Sequence, residues 1–596
     1  MRMNRRDWLA AATTAPAWAS AAAPAAVGGK TLRVAFNFAE TGFDPPQVGD
    51  LTSISVNSHI FEALLTYDYL ARPVKLRPLT AAALPEVSAD FRRFVFQVRP
   101  GIFFADDPAF GGRARELTAA DYVYSFKRFY DPQLHTEHLH LFENEKILGL
   151  TELRRRAIAG KTAFPYDAAV EGLRVLDRYR FEVRLANPSP RFVHLFAYNQ
   201  TAAVAREVVE AYASDLMAHP VGTGPFMLQR WRRGSLITLA RNPRFREQLF
   251  EAEPPADDAQ AQALAAALRG KRLPLLDRVE VSIIEESQPR WLAFVGGELD
   301  AVALPTAFAD LALPGGQLAP YLARRGVRSQ RTLGPSIAHT FFNFDDPVVG
   351  GYTAERVALR RAVALCVDNA AEIRRVYQGQ AIPAQSMIAP DCYGYDPALK
   401  SEMSAADLAR ANALLDLYGY ARRGRAGHRQ RPDGQPLVLR LASQQNLRSR
   451  QINELWKARM DAIGLDMRFE YAPFGELIKR SLAGQLMMWG FTWSIGAPDA
   501  DFLLGLAYGP NRDQSNDARF ALPAFDRLYE RQHVMPNSPE RLALIREANK
   551  LMLAYVPYIA HNHPITTDLT QPWVRGYHRH PFTNDWWRYT DLIDRS

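Results

Sequence analysis

An α/β fold of several domains is what this sequence predicts, on three observations. The chain has 596 residues, 47% of them hydrophobic, enough to bury a large core and long enough for two to four domains. Alternating strand patterns and amphipathic helical patterns succeed one another along it. The most informative stretch is residues 221–244, V-G-T-G-P-F-M-L-Q-R-W-R-R-G-S-L-I-T-L-A-R-N-P-R. Gly222 and Gly224 suit a tight bend where side chains would obstruct the backbone. Phe226, Leu228 and Arg230 alternate with Met227, Gln229 and Trp231, Arg233-Gly234 reads as a turn, and residues 236–239 return as a second strand, so the whole is a β-hairpin.

The elements follow in order. Residues 1–26 have a basic start, a small-apolar middle and small-x-small sites, the layout of a cleaved export signal. Asn4-Arg5-Arg6-Asp7-Trp8-Leu9 is similar to the twin-arginine motif, with an ordinary secretory signal carrying two arginines as the alternative. Residues 30–38 read as a strand, and 40–45 (E-T-G-F-D-P) as a loop turned by Gly and Pro. A helix with Val56, Ile60, Phe61, Leu64 and Leu65 on one face comes next.

A second block has a strand over 91–98, a turn at Arg99-Pro100-Gly101, and a helix from Thr118, where Thr118 and Asp121 have capping-box spacing. Asp106-Asp107 reads as a water-facing loop pair. Residues 245–272, rich in Ala, Gln and Glu, read as a mostly helical surface insertion. A third block places a strand over 275–281 and a helix holding Trp291, Leu292 and Phe294. The run T-F-F-N-F-D-D-P from Thr340 is a strand, followed by helical patterns over 355–373, 407–420 and from Trp456, the last ending in Ile463-Gly464-Leu465 before a strand.

In this order, the hairpin G-T-G-P-F with its R-N-P, the E-A-L-L-T-Y-D run at 62–68, R-P-G, L-T-A-A-D, G-E-L-D at 297–300 and the helix with V-D-x-x-x-I resemble the family 5 extracellular solute-binding proteins, the oligopeptide and dipeptide receptors of bacterial ABC importers. Ala63 departs from the Gly usual there. The resemblance spans the mature chain and implies a periplasmic-binding-protein-like α/β fold, two lobes with a hinge plus an extra small domain. Domain I would comprise residues 30–70, 201–338 and 565–596, domain II 71–200, and domain III 339–564, with the ligand cleft between domains I and III. It also implies a monomeric periplasmic receptor with no cofactor, which closes on a peptide or peptide-like solute and hands it to an ABC permease.

Residues 486–502, L-M-M-W-G-F-T-W-S-I-G-A-P-D-A-D-F, would be the functional core. They alternate as a strand and break at Gly496-Ala497-Pro498. A peptide lying beside such a strand is held through its backbone by β-augmentation. Trp489, Phe491 and Trp493 share one face, as apolar walls or as ordinary core. The candidate contacts are Glu40, Thr41 and Phe43 from one lobe and Trp489, Phe491, Thr492, Trp493, Ser494, Gly496, Asp499 and Asp501 from the other. The resemblance implies a W-x-x-D carboxylate for the ligand's α-ammonium, and counting from Trp493 that position is Gly496. Either Asp499 or Asp501 takes the role, or the ligand has no free amine there, because a buried unpaired ammonium costs several kcal/mol.

Other classes are argued against. Formal charge is +8, and +6 without residues 1–26. The basic run 422–431 has no interleaved aromatics to stack on bases and leads into a strand, so it reads as a solvated hairpin loop, not a nucleic-acid site. After the export signal no segment approaches the ~20 apolar residues of a membrane span. His135, His138 and His140, then His561 and His563, then His578 and His580, form three groups without H-E-x-x-H spacing, so no native metal site is expected. A haem or metal-chelate ligand is the alternative cargo. No G-x-S-x-G elbow, Walker or dinucleotide motif occurs, which leaves an exported hydrolase using the same cleft as the remaining alternative. Cys366 reads as a buried helical thiol and Cys392 as a loop residue, with a disulfide between them as the other possibility.

Overall fold

The computed structural model describes residues 29–593, apart from 135, 137, 403, 404 and 426. The export signal therefore lies outside the described residues. One strand, Tyr558–Thr570, organises the rest. Its first half pairs antiparallel with Ser336–Phe342 and its second half with Arg328–Leu333 and Ala301–Ala303. Outward from Ala301–Ala303 the sheet continues through Thr31–Phe36, Arg278–Ile283, Leu236–Arg241 and Phe226–Arg232. Outward from Ser336–Phe342 it continues through Met488–Ser494, Val438–Ser443 and Asp466–Tyr471. The two halves are the bases of two lobes, and Tyr558–Thr570 is common to both. A separate four-stranded sheet, Glu86–Val87, Arg93–Gln97, Arg180–Arg184 and Leu173–Val175, packs its phenylalanines on the helix Ala119–Phe129.

Sequence chemistry explains the elements. The predicted hairpin forms as Phe226–Arg232 and Leu236–Arg241, with Gly234 at φ 64° in its turn. A Cβ at Gly222 would lie 2.0 Å from the Ile60 carbonyl oxygen, and one at Gly224 2.6 Å from that of His59. The two glycines thus let the hairpin entry pass against the end of the helix Leu51–Ile60. The Asp121 carboxylate accepts from the Thr118 amide at 2.8 Å, the expected capping contact. The thiols of Cys366 and Cys392 are both free and buried, in different cores.

Three expectations need correction. The first helix ends at Ile60, and Leu64 and Leu65 lie beyond it, Leu65 opening a strand. Phe61 is already extended, and Glu62 is drawn inward to a cluster of cations described below. Residues 245–272 are helical only over Ala259–Leu268. Phe250, Ala261, Ala265 and Leu268 pack against Tyr69, Leu70 and Tyr589, so the segment covers a core of its own. In the basic run Arg422, Arg423 and Arg425 are exposed on a hairpin loop as expected, but Arg429 is not: it is buried, donating to the Ile463 and Tyr420 carbonyls, Asn412 and Asp416, and staples that loop.

Two buried ion pairs tie distant segments together. Arg128 grips Asp44 through two bonds of 2.7 and 2.8 Å, both side chains fully shielded. Glu62 accepts from Arg246 at 2.5 Å and from Arg588 at 3.3 Å, joining segments far apart in sequence. Removing one partner of such a cluster leaves uncompensated buried charge. Glu62→Ala is therefore expected to destabilise the protein by about 3–5 kcal/mol, read as a lowered urea midpoint. A change under about 1 kcal/mol would show that the cluster behaves as a surface pair.

Candidate functional site

The strand Met488–Ser494 has an occupied edge and an open one. On one side it pairs along its full length with Ser336–Phe342. The bonds Asn343 N–H to Met487 O and Ile495 N–H to Pro335 O set the register, so the odd-numbered residues bond to that neighbour. The backbone groups of Gly490, Thr492 and Ser494 point the other way. There, the parallel strand Val438–Ser443 meets it only at Met488 and Trp489 and then diverges. Among the described residues nothing pairs with the edge from Gly490 to Ser494, a length of about 13 Å. Gly490 keeps this stretch close to its neighbour, since a Cβ there would lie 2.6 Å from Thr340 Oγ1.

Two cavities lie along this strand. The inner one, about 250 Å³, sits where the strands diverge and is lined by Trp489, Gly490, Phe491, Thr492, Ser443, Phe474, Glu372, Arg448 and His561 among others. The outer one, about 390 Å³, lies between the lobes and is lined by Ser494, Ile495 and Gly496 from one side, and by Phe61, Leu65, Tyr198, Thr332, His580 and Phe582 from others. Trp489, Phe491 and Trp493 form a continuous row, with ring centroids 4.7 and 5.3 Å apart. Trp489 is fully buried and, with Phe491, lines the inner cavity, whereas Trp493 packs edge-on to Phe502 and lines neither cavity. Ser494 Oγ lies 2.8 Å from Ser336 Oγ.

The remaining predicted residues sit elsewhere. The Glu40 carboxylate accepts from the Trp231 indole at 2.5 Å and from the Gly234 amide at 2.8 Å, fastening the loop to the hairpin. Thr41 Oγ1 donates to Asp50, and Phe43 is buried edge-on to Trp231. None of the three lines either cavity. Asp499 is held by Arg541 through two bonds of 2.7 and 2.6 Å. Asp501 meets His533 at 3.0 Å, Gln532 at 2.7 Å and Arg191 at 3.5 Å. Burial opposes its ionisation, yet His533 and Arg191 hold the Asp501 carboxyl well below its ordinary range. Both aspartates belong to a lobe-to-lobe contact, in which Arg191 also donates to the His533 and Met535 carbonyls. At Gly496 a Cβ would fall 2.0 Å from the Tyr198 hydroxyl, so that position has no room for any side chain unless Tyr198 moves.

Sequence patterns did not mark Arg448, Glu372, Tyr198 or Arg191, which sit in no motif and meet the strand only through the fold. Arg448 stands over the Tyr377 ring at 4.3 Å, and among the described residues no carboxylate is within ion-pair reach of it. Burial pushes Glu372 up to about 7 against the pull of Arg448 and Asn562. One hydroxyl–imidazole pair borders the inner cavity, Thr340 Oγ1 to His561 Nε2 at 2.9 Å. Burial pushes His561 down to about 3, which makes it a poor general base near neutral pH. His138 Nε2 lies against the Val48 carbonyl, and His135 and the His140 side chain lie outside the described residues. Among the described residues no three His, Cys, Asp or Glu side chains are grouped to hold a metal.

Two lobes sharing a strand, with an open strand edge and a cavity between them, define a solute-binding protein. Residues 75–515 match the model of the bacterial extracellular solute-binding proteins, family 5; the chain belongs to that family. It is 25% identical over 571 residues to di/tripeptide-binding protein 2 of Pseudomonas aeruginosa, covering 93% of each chain. It is 24% identical to heme-binding protein A of Haemophilus influenzae, covering 92% of this chain and 89% of that one. Among solved structures it is similar to the periplasmic binding protein DppA of Helicobacter pylori in complex with the peptide STSA, with a TM-score of 0.71 at 19% identity, over 95% of this chain and 98% of the other.

The buried Glu372 has a consequence for stability. The unfolded chain ionises it near 4.5 and the folded chain near 7, so between these values the unfolded state binds fewer protons and stability falls as pH rises. Glu372→Gln removes that decline, worth up to about 3 kcal/mol above pH 7. Urea unfolding at pH 5 and pH 8 checks it: the wild type should lose more stability across the interval than the variant, and equal losses would contradict the burial argument.

Proposed function

We propose that this protein is the periplasmic receptor of an ABC importer, and that it takes up a peptide or peptide-like solute as an added strand on the open edge of Met488–Ser494. The observation that carries this is the backbone of Gly490, Thr492 and Ser494, aimed into the gap where Val438–Ser443 has diverged. Main-chain pairing there is indifferent to side-chain identity, which suits a carrier of varied sequences. Arg448 is the natural partner of a ligand carboxylate, and the aromatic row supplies an apolar wall. The di/tripeptide-binding and peptide-bound relatives support the same class.

The two crossings between lobes, at Gly334-Pro335 and near Pro564 within Tyr558–Thr570, are the natural hinge, at the edges of domains I (30–70, 201–338, 565–596) and III (339–564), with 71–200 as domain II. Ligand that touches both lobes favours the closed form, stabilised by Arg191 on Asp501 and by Tyr198 on Gly496. The closed, monomeric receptor would then be recognised by the permease. Hydrolysis is disfavoured because the Thr340–His561 pair lacks a base active near neutral pH. A haem cargo is the second reading, favoured by the heme-binding relative, and a Soret band in the purified protein tests it.

Native mass spectrometry of protein from a periplasmic extract, with the released solute identified, tests the class. Arg448→Ala should weaken binding of that solute about 10- to 100-fold, the worth of a charge-assisted hydrogen bond, without lowering the melting temperature, since Arg448 is exposed. Thr492→Pro removes an outward-facing N–H but no bond to Ser336–Phe342, and should abolish binding in a protein with unchanged circular dichroism. Full affinity in both variants would sink the proposal.

A further inference from the structure

The outer cavity carries a statement about the solute's other end, and it rests on the function proposed above. A ligand lying along Met488–Ser494 with its carboxylate at Arg448 in the inner cavity directs its amino end past Ser494, into the space between the lobes. A free α-ammonium taken out of water there needs a carboxylate. The outer cavity has one in its wall, Asp585, and it faces the guanidinium of the buried Arg588 at 3.6 Å. Asp499 and Asp501 line neither cavity, and both are occupied by cations and amides of this chain. The two guanidiniums in the wall are likewise matched, Arg579 by Asp568 and Arg588 by Glu62. The cavity therefore offers no unspent charge of either sign.

What it does offer is apolar surface and neutral hydrogen-bonding groups. Leu51, Ile54, Phe61, Leu65, Leu79 and Phe582 form much of the wall. Two of its lining residues, Thr332 and His580, each hold a polar atom, Oγ1 and Nε2, that is buried without a partner among the described residues. His580 Nδ1 accepts from the Phe582 amide at 3.1 Å, which puts the ring proton on Nε2 and makes that nitrogen a donor. A wall that is largely apolar and holds no free charge suits a hydrocarbon group rather than an ammonium. The volume, about 390 Å³, is within the range of small-molecule sites and far more than an ammonium requires.

From this we infer that the solute is a carboxylate whose amino end is blocked, an N-acylated amino acid or short N-acylated peptide, with the acyl group filling the interlobe cavity. Gly496 then has a physical account: it is the point where Tyr198 closes over the backbone and the blocking group passes, so a charged side chain has neither room nor purpose there.

Calorimetric titration of the stripped protein tests this with alanyl-leucine and alanyl-phenylalanine, their N-acetyl and N-hexanoyl derivatives, and the C-terminal amides of the hexanoyl forms. The hexanoyl dipeptides should bind at least about tenfold more tightly than the free-amine forms, since several added methylenes leave water. Amidation of the carboxylate should remove most of that affinity. Ile54→Trp, which narrows the outer cavity, should lower the affinity of the hexanoyl forms more than that of the acetyl forms and so erase the hexanoyl advantage. Free-amine dipeptides that bind as well as or better than acylated ones, with Arg448 still required, would overturn this inference and leave the proposed function standing. Binding by no member of the set would overturn both.

Discussion

The site depends on two neighbouring strands that part company. Val438–Ser443 runs beside Met488–Ser494 for two residues and then leaves it, so three backbone positions in the middle of a large sheet have no partner among the described residues. An unpaired interior edge is costly unless something completes it, and an exposed edge invites foreign strands. Here the edge is short, sits in a recess walled by aromatic rings and carries a cation at its inner end. A scaffold that withholds hydrogen bonds from itself in this way is prepared to make them to a ligand. Gly490 and the Thr340 hydroxyl packed against it keep that edge close to the sheet.

The contacts around the edge divide into those that build and those that close. Glu40, Phe43 and Asp44 with Arg128 build one lobe and fasten its loops. Arg191 and Tyr198 reach instead from the segment 71–200 to residues 496–501 and 533–535, the contacts that the proposed closure would make. Asp501 meets Arg191 across that contact, and Asp499 is held chiefly by Arg541 of its own lobe. The charge they bring to the neighbourhood of the site is already matched, and the space beside Ser494 is left neutral and apolar.

Much of the fold was legible in the sequence, and much of the site was not. The hairpin over 226–241, the capping contact of Asp121 and the strand over 488–494 follow from local patterns that tertiary packing did not override. Where a pattern was extended by composition alone, as with the helix beyond Ile60 or the 245–272 segment, buried charge and a small separate core decided the backbone instead. Trp489, Phe491, Thr492, Ser494 and Gly496 do lie along the cavities because the strand and the bend that ends it run beside both. Glu40, Thr41 and Phe43 were chosen through a loop, and loop side chains are placed by hydrogen bonds that no periodicity encodes. Arg448 was invisible for a related reason. Its importance comes from the partner it lacks, and a missing partner is visible only in three dimensions.

A crystal structure of the protein loaded with the solute that co-purifies with it tests the central claim most directly. The account predicts ligand main-chain groups hydrogen-bonded to the N–H and C=O of Thr492 and of at least one of Gly490 and Ser494. A solute held wholly between the lobes, with the edge of Met488–Ser494 left to water, would contradict it.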